Sequence, residues 1–212
     1  SALNVYHLAR LVCGFVLLMA EFLFISFFLA LPLARWLAYL LVSWSSGLGW
    51  LFLLVTGTTA VNSISPIDFW LMDAYTFFTI LHAPHFSLAL AALLVQFVFI
   101  LLFFRAGRWS AWGTAAVAAF GLVFLNPYLL LIAGTVLGAY WCGLWALSRR
   151  LPLQEARGLV LLGVVLAPPL LAYYLTIRSD PVLRLFAEQD VVLSPPPLFY
   201  LMGYGLVLFC AL

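Results

Sequence analysis

The chain has 212 residues, of which 67% are hydrophobic and only 8% are charged, and all nine of its Lys or Arg positions are arginine. Water-soluble domains carry about 25% charged residues, so this chain has too few polar groups to cover a globular surface. The composition therefore excludes a water-soluble domain and indicates a polytopic membrane protein.

Seven apolar segments follow one another along the chain. A transmembrane helix needs about 20 mostly apolar residues, and continuous rather than alternating runs exclude a β-barrel. We predict an all-α transmembrane helix bundle that forms a single domain over residues 1–212, with spans near 5–30, 33–56, 86–104, 110–125, 128–147, 158–177 and 198–212. Asn126-Pro127 separates the short fourth span from the fifth, so this pair is alternatively one broken hairpin. Because the chain starts at Ser1 rather than Met and stops within a span, we expect a longer protein.

Arginine placement predicts the orientation of the bundle. Alternate loops collect six of the nine arginines, namely Arg35, Arg105, Arg108, Arg149, Arg150 and Arg157, with only Glu155 of opposite charge. By the positive-inside rule these loops are cytoplasmic, which predicts an integral protein of the plasma (inner) membrane. The other side then holds two long outer loops, 57–85 and 178–197, which carry most of the acidic residues.

The first outer loop contains the only cluster of carboxylates and imidazoles in the sequence: Asp68, Asp73, His82 and His85. Ser65-Pro66 indicates a helix start, and the aromatic residues that follow predict a short helix along the membrane surface. The cluster is a candidate pocket for a divalent cation, with His82 and His85 as candidate metal ligands. The alternative is that the histidines cap the third span, because Pro84 between them favours a turn and their spacing matches no specific metal signature.

The second outer loop predicts a short amphipathic helix that Asp180 caps. Its arginines, Arg178 and Arg184, are candidate ligands of a substrate phosphate. The alternative is that they bind lipid headgroups or pair with acidic residues of the same loop.

Two polar residues lie deep in predicted spans. Glu21 lies within the first span, where burial costs several kcal/mol unless the carboxyl is paired or protonated, so we expect it to face protein or water. It is either a functional residue or a hydrogen-bond partner of Ser26, Ser43 or Ser45. Gln96 in the third span has the same two interpretations.

The sequence lacks several common functional motifs. There is no phosphate-binding glycine loop, no GxSxG motif and no basic tract for nucleic acid, so we predict no nucleic-acid partner. The cysteines are isolated within apolar runs and indicate no disulfide.

Several stretches carry a resemblance to a known family: YHLARLVCG (6–14), SSGLGW (45–50), DFWLMDAYTF (68–77), HAPHFSLALAALL (82–94), LNPYLLL (125–131) and DPVLRLFAEQDVVLSPPPLFYLMGYG (180–205). They resemble bacterial membrane proteins of the GT-C glycosyltransferase superfamily, the type related to dolichyl-phosphate-mannose protein mannosyltransferases. The resemblance implies transfer of a sugar from a polyprenyl-phosphate donor on the extracytoplasmic face. The family's catalytic aspartate usually lies in the first outer loop, which would precede Ser1. Asp68 and Asp73 are therefore catalytic candidates by their outer location.

A hypothesis of a different class is a non-catalytic subunit of a larger membrane complex, respiratory or photosynthetic. This hypothesis is based on composition: 17% of the residues are aromatic, and few intramembrane residues are polar. Such helices are suited to packing against pigments, quinones and other subunits. The predicted partners are accordingly membrane lipid, a polyprenyl-phosphate sugar and other membrane subunits. A transporter fits less, because the sequence has no convincing internal repeat.

Overall fold

The chain is helical throughout the part that the structure describes. The computed structural model describes residues 2–45, 47–60, 65–69, 75–189 and 196–211, and these contain helices but no strand. The all-α prediction is therefore confirmed. The helices are α1 (Ala2–Phe28), α2 (Pro32–Trp44), α3 (Gly49–Thr56), α4 (Thr76–His82), α5 (Pro84–Ala106), α6 (Trp109–Leu125), α7 (Tyr128–Ser148), α8 (Leu153–Ser179), α9 (Pro181–Gln189) and α10 (Pro197–Ala211), with a 3₁₀ turn at Ile67–Phe69.

Among the described residues, four helices are long and apolar enough to cross a membrane: α1, α5, α7 and α8. The pair α2 and α3 makes a fifth if it is one span, although it is bent by 49° at its break. The apolar helix α6 has 17 residues and α10 has 15. Length and composition therefore support a multi-spanning membrane protein.

The predicted continuous span over 33–56 is broken after Trp44. Ser45 is extended, and the N–H of Leu48 donates to the carbonyl of Met202 at 2.7 Å. Glycine at 47 and 49 lowers the helix propensity of this stretch, so the chain turns here and restarts as α3. At its far end α3 stops at Gly57, whose left-handed φ of 69° suits glycine.

The chain divides into two compact units, Ser1–Leu88 with Val192–Leu212 and Ala89–Val191. In the first unit α1 packs closely on α4, because a Cβ on Gly14 would lie 2.9 Å from Cγ2 of Ile80. Tyr6 also donates to the carbonyl of His82 at 2.8 Å. At the other end of α1, the guanidinium of Arg35 donates to the carbonyl of Leu29 at 3.0 and 3.2 Å. These contacts hold both ends of α1.

The second unit is built on α5, α6, α7 and α8. Buried side chains of α5 and α6 pack with Leu137 of α7, and those of α6 pack with Leu162 and Leu166 of α8. Hydrogen bonds join the end of α5 to the start of α8, from Gln154 Nε2 to the Phe103 carbonyl at 3.1 Å, and the start of α6 to α8, from Trp112 Nε1 to the Gly158 carbonyl at 2.9 Å. The α5–α6 and α7–α8 connections therefore lie at one end of this unit.

Candidate functional site

Asp68 lies in the 3₁₀ turn of the first unit, with its carboxylate against the loop that begins α3. Its Oδ2 accepts a hydrogen bond from the N–H of Gly49 at 2.7 Å. Its Oδ1 is buried and has no hydrogen-bond partner in the described part of the chain. A Cβ on Gly49 would lie 2.5 Å from Oδ1, and a Cβ on Gly47 would lie 2.6 Å from Cγ of Asp68. Only glycines at these two positions let the carboxylate approach so closely.

The surroundings favour the protonated form of this carboxyl. Burial raises the pKa of Asp68, and the hydrogen bond from the N–H of Gly49, which stabilises the charged form, offsets this only in part. A carboxyl with a raised pKa and one oxygen without a hydrogen-bond partner is suited to general acid–base chemistry.

Tyr75 lies close enough to this carboxylate to feel its charge, and it is bonded to α10. Its hydroxyl donates to the carbonyl of Gly203 at 2.6 Å. The pKa of Tyr75 is raised, first by burial and then by the negative charge of Asp68 and by Tyr204. Tyr75 therefore remains protonated at neutral pH and acts as a hydrogen-bond donor.

Glu21 is buried in the same unit, with 3% of its surface exposed. Ser43 of α2 donates to its Oε2 at 3.0 Å, and Thr76 of α4 donates to its Oε1. Ser43 was one of the three partners that the sequence suggested, whereas Ser26 has a buried Oγ without a partner in the described residues. Both oxygens of Glu21 are thus used to join α1, α2 and α4.

The two candidate metal ligands each contact the ring of Phe86. The ring of His82 stacks on Phe86 at 5.5 Å between centroids, and the ring of His85 lies 4.3 Å from the same ring. Among the described residues, no three His, Cys, Asp or Glu side chains come close enough together to hold a metal ion. The divalent cation stays a prediction.

The candidate phosphate ligands belong to the second unit. Arg178 lies over the ring of Tyr174, 4.9 Å from its centroid, and Arg184 pairs with Glu188 at 3.7 Å on an exposed helix face. Asp180 caps α9, as the sequence predicts, by accepting from the N–H groups of Val182 and Leu183 at 2.8 and 3.1 Å. Asp73 lies outside the described residues, so its role as a catalytic candidate is a prediction that the structure does not address.

Sequence reasoning selected Asp68 but missed the groups that surround it. The closely spaced Gly47 and Gly49 were the available signal, since glycine is required where a side chain approaches the backbone this closely. Tyr75 is one of several aromatic residues in this loop, and no local pattern distinguishes it from its neighbours.

A scan against protein-family models gave no match for this chain, and searches against curated proteins and against solved structures gave none either.

Proposed function

We propose that this multi-spanning membrane protein is a glycosyltransferase that moves a sugar from a polyprenyl-phosphate donor, with Asp68 as the general base. The observation that carries the proposal is the state of the Asp68 carboxylate. One oxygen is fixed by the N–H of Gly49, the other is buried without a partner in the described chain, and its pKa is raised. The resemblance to the GT-C superfamily supplies the substrate class.

The proposed reaction uses the bare oxygen of Asp68. Oδ1 of Asp68 takes the proton of the acceptor hydroxyl. At the same time, the oxygen of the acceptor forms a bond to the anomeric carbon of the sugar. The bond between this carbon and the phosphate oxygen breaks, and the electron pair leaves with the polyprenyl phosphate. Tyr75 has a positioning role in this proposal: its hydroxyl bonds the carbonyl of Gly203, and a Cβ on Gly203 would lie 3.2 Å from Cβ of Ile67, the residue before Asp68.

The test is sugar transfer by the purified full-length protein, using several labelled polyprenyl-phosphate sugars. We expect turnover by the wild type and a loss of about 100-fold or more in Asp68→Asn, since general bases contribute about 10²–10⁴-fold. Asn keeps an oxygen for the Gly49 N–H, so the fold is preserved. Asp180→Asn is the matched control, because Asp180 only caps the exposed helix α9, and its turnover should equal that of the wild type.

Two outcomes contradict the proposal. Full activity of the Asp68→Asn variant would show that the carboxylate takes no part in the reaction. Absence of turnover with every donor, together with stoichiometric copurification of other membrane subunits, supports a non-catalytic subunit instead.

For the phosphate-binding role of Arg178 and Arg184, we expect each Arg→Gln change to raise KM for the donor more than it lowers kcat.

A further inference from the structure

A groove of about 410 Å³ runs within the second unit between α5, α7 and α8. Its walls are aliphatic side chains and three glycines, Gly134, Gly138 and Gly163. A Cβ on any of these glycines would meet no atom within 4 Å, so nothing in the unit fills the space beside them. Leu131 at the rim is 67% exposed, which leaves the groove accessible from the membrane. The volume lies in the range of small-molecule pockets, about 300–1,000 Å³.

The groove contains a single polar side chain, that of Gln96. Gln96 is 1% exposed, and its Oε1 is buried without a hydrogen-bond partner among the described residues. It lies near the middle of α5, about 18 Å along the helix axis from Pro84 at about 1.5 Å per residue. An acceptor without a partner at this depth costs free energy comparable to a lost hydrogen bond, unless an occupant donates to it.

The chemistry of the walls restricts the occupant. No charged side chain lines the groove, so a phosphate or another anionic headgroup has no partner there. A buried water needs two to four polar partners, and the lining offers one polar side chain. An apolar molecule with one neutral donor satisfies both the aliphatic walls and the oxygen of Gln96.

We propose that this groove binds a neutral lipid whose hydroxyl donates a hydrogen bond to Oε1 of Gln96. The glycines of α7 and α8 admit the hydrocarbon chain, and the amide fixes the depth of the hydroxyl. The groove belongs to the second unit, whereas Asp68 belongs to the first, and lipid binding there does not depend on glycosyl transfer.

The test is photolabelling of the purified full-length protein in lipid nanodiscs with a diazirine-bearing long-chain alcohol and with its methyl ether, which has the same chain but no donor. We expect the alcohol to label residues of the groove, and the ether to label them about three- to tenfold less, as the loss of one hydrogen bond predicts. Gln96→Met, which keeps the volume and removes the amide, should reduce alcohol labelling to the level of the ether. Gln154→Met is the control, because that glutamine lies outside the groove and bonds Phe103.

A second pair of variants tests the space itself. Gly138→Leu fills the groove and should abolish labelling by both probes. Gly143→Leu on the same helix also has open space at its Cβ but does not line the groove, so it should label as the wild type does. Equal labelling by alcohol and ether in the wild type overturns the proposal, and so does unchanged labelling of Gly138→Leu. If native mass spectrometry shows a second copy or another protein that Gly138→Leu displaces, the occupant is a helix and the proposal is wrong.

Discussion

Glu21 is a buried carboxylate whose two oxygens each accept a hydrogen bond from a hydroxyl group, one on α2 and one on α4. Isolated burial of such a group in a membrane is costly, whereas a fully hydrogen-bonded one joins helices. Of the two interpretations that the sequence left open, the structural one agrees with this geometry. The residue stabilises the contact among α1, α2 and α4.

Substituting Glu21 by Ala should lower the free energy of unfolding by about 2–4 kcal/mol, because the hydroxyls of Ser43 and Thr76 lose their acceptor inside the protein. Glu21→Gln should cost about 1 kcal/mol or less, since an amide pairs with both hydroxyls. Denaturant titration in detergent measures both values. Ser26→Ala is the control on the same helix and should be neutral, because its buried Oγ has no partner in the described residues. A Glu21→Ala variant as stable as Ser26→Ala would show that these bonds contribute nothing.

The raised pKa of Asp68 predicts the direction of a pH effect on stability. Because burial favours the protonated carboxyl in the folded state, its contribution is fully present below the unfolded pKa of about 4 and is lost as pH rises through the folded pKa. The melting temperature of the wild type should therefore fall relative to that of Asp68→Asn as pH rises through this range. Thermal melts from acidic to neutral pH measure the difference. A constant difference, or one of the opposite sign, would disprove the assigned environment.

The loop that begins α3 is built so that a carboxylate can touch its backbone. Gly49→Ala places a Cβ 2.5 Å from Oδ1 of Asp68, which forces the carboxylate to move. If Asp68 is the general base, as proposed, a displacement of this size should lower the rate of sugar transfer about 100-fold while the fold is retained. Gly121→Ala on α6, whose Cβ meets no atom within 4 Å, should transfer sugar at the wild-type rate. Normal turnover by Gly49→Ala would separate this loop from catalysis.

The contact of α8 with α5 depends on Gly158. A Cβ there would lie 2.5 Å from Cε1 of Phe103, a side chain that is only 1% exposed and has little room to move. We expect Gly158→Ala to destabilise the protein by about 1–3 kcal/mol, as overpacking does. Denaturant titration should give no such loss for Gly163→Ala, which has open space on the same helix and gains helix propensity. Equal stability of the two variants would contradict the packing described for α8.

The sequence predicted the helices best where the signal is local. The predicted span 86–104 lies within α5, and the predicted span 128–147 ends one residue before α7 does, because hydropathy and length alone define such segments. The break between α2 and α3 was not predicted, since it involves a bond from Leu48 to Met202, far along the chain. The candidate site was likewise predicted only in part, because it depends on contacts between residues that are far apart in the sequence. Asp68 is identifiable by its type, whereas the roles of Gly49 and Tyr75 arise only from contacts made in the fold.

At the scale of the whole molecule, lipid is the solvent for the long apolar helices, and the arginines are expected to mark the cytoplasmic side. Within the second unit, the connections that carry Arg105, Arg108, Arg149 and Arg150 lie at one end, where Gln154 and Trp112 join α5, α6 and α8. This agrees with the alternation of charged loops along the sequence. By the positive-inside rule we expect that end to face the cytoplasm, and the charge pattern of the sequence predicts that the loop with Asp68 faces outward.

Accessibility of single cysteines in intact cells tests this arrangement most directly. With Cys13, Cys142 and Cys210 replaced by alanine, Ala106→Cys and Leu151→Cys report on the two arginine-bearing connections without removing an arginine, and Thr58→Cys reports on the loop before Asp68. A membrane-impermeant maleimide should label Thr58→Cys in intact cells, and should label the other two only after permeabilisation. Labelling of Ala106→Cys and Leu151→Cys from opposite sides of the membrane, or of both in intact cells, would contradict the account.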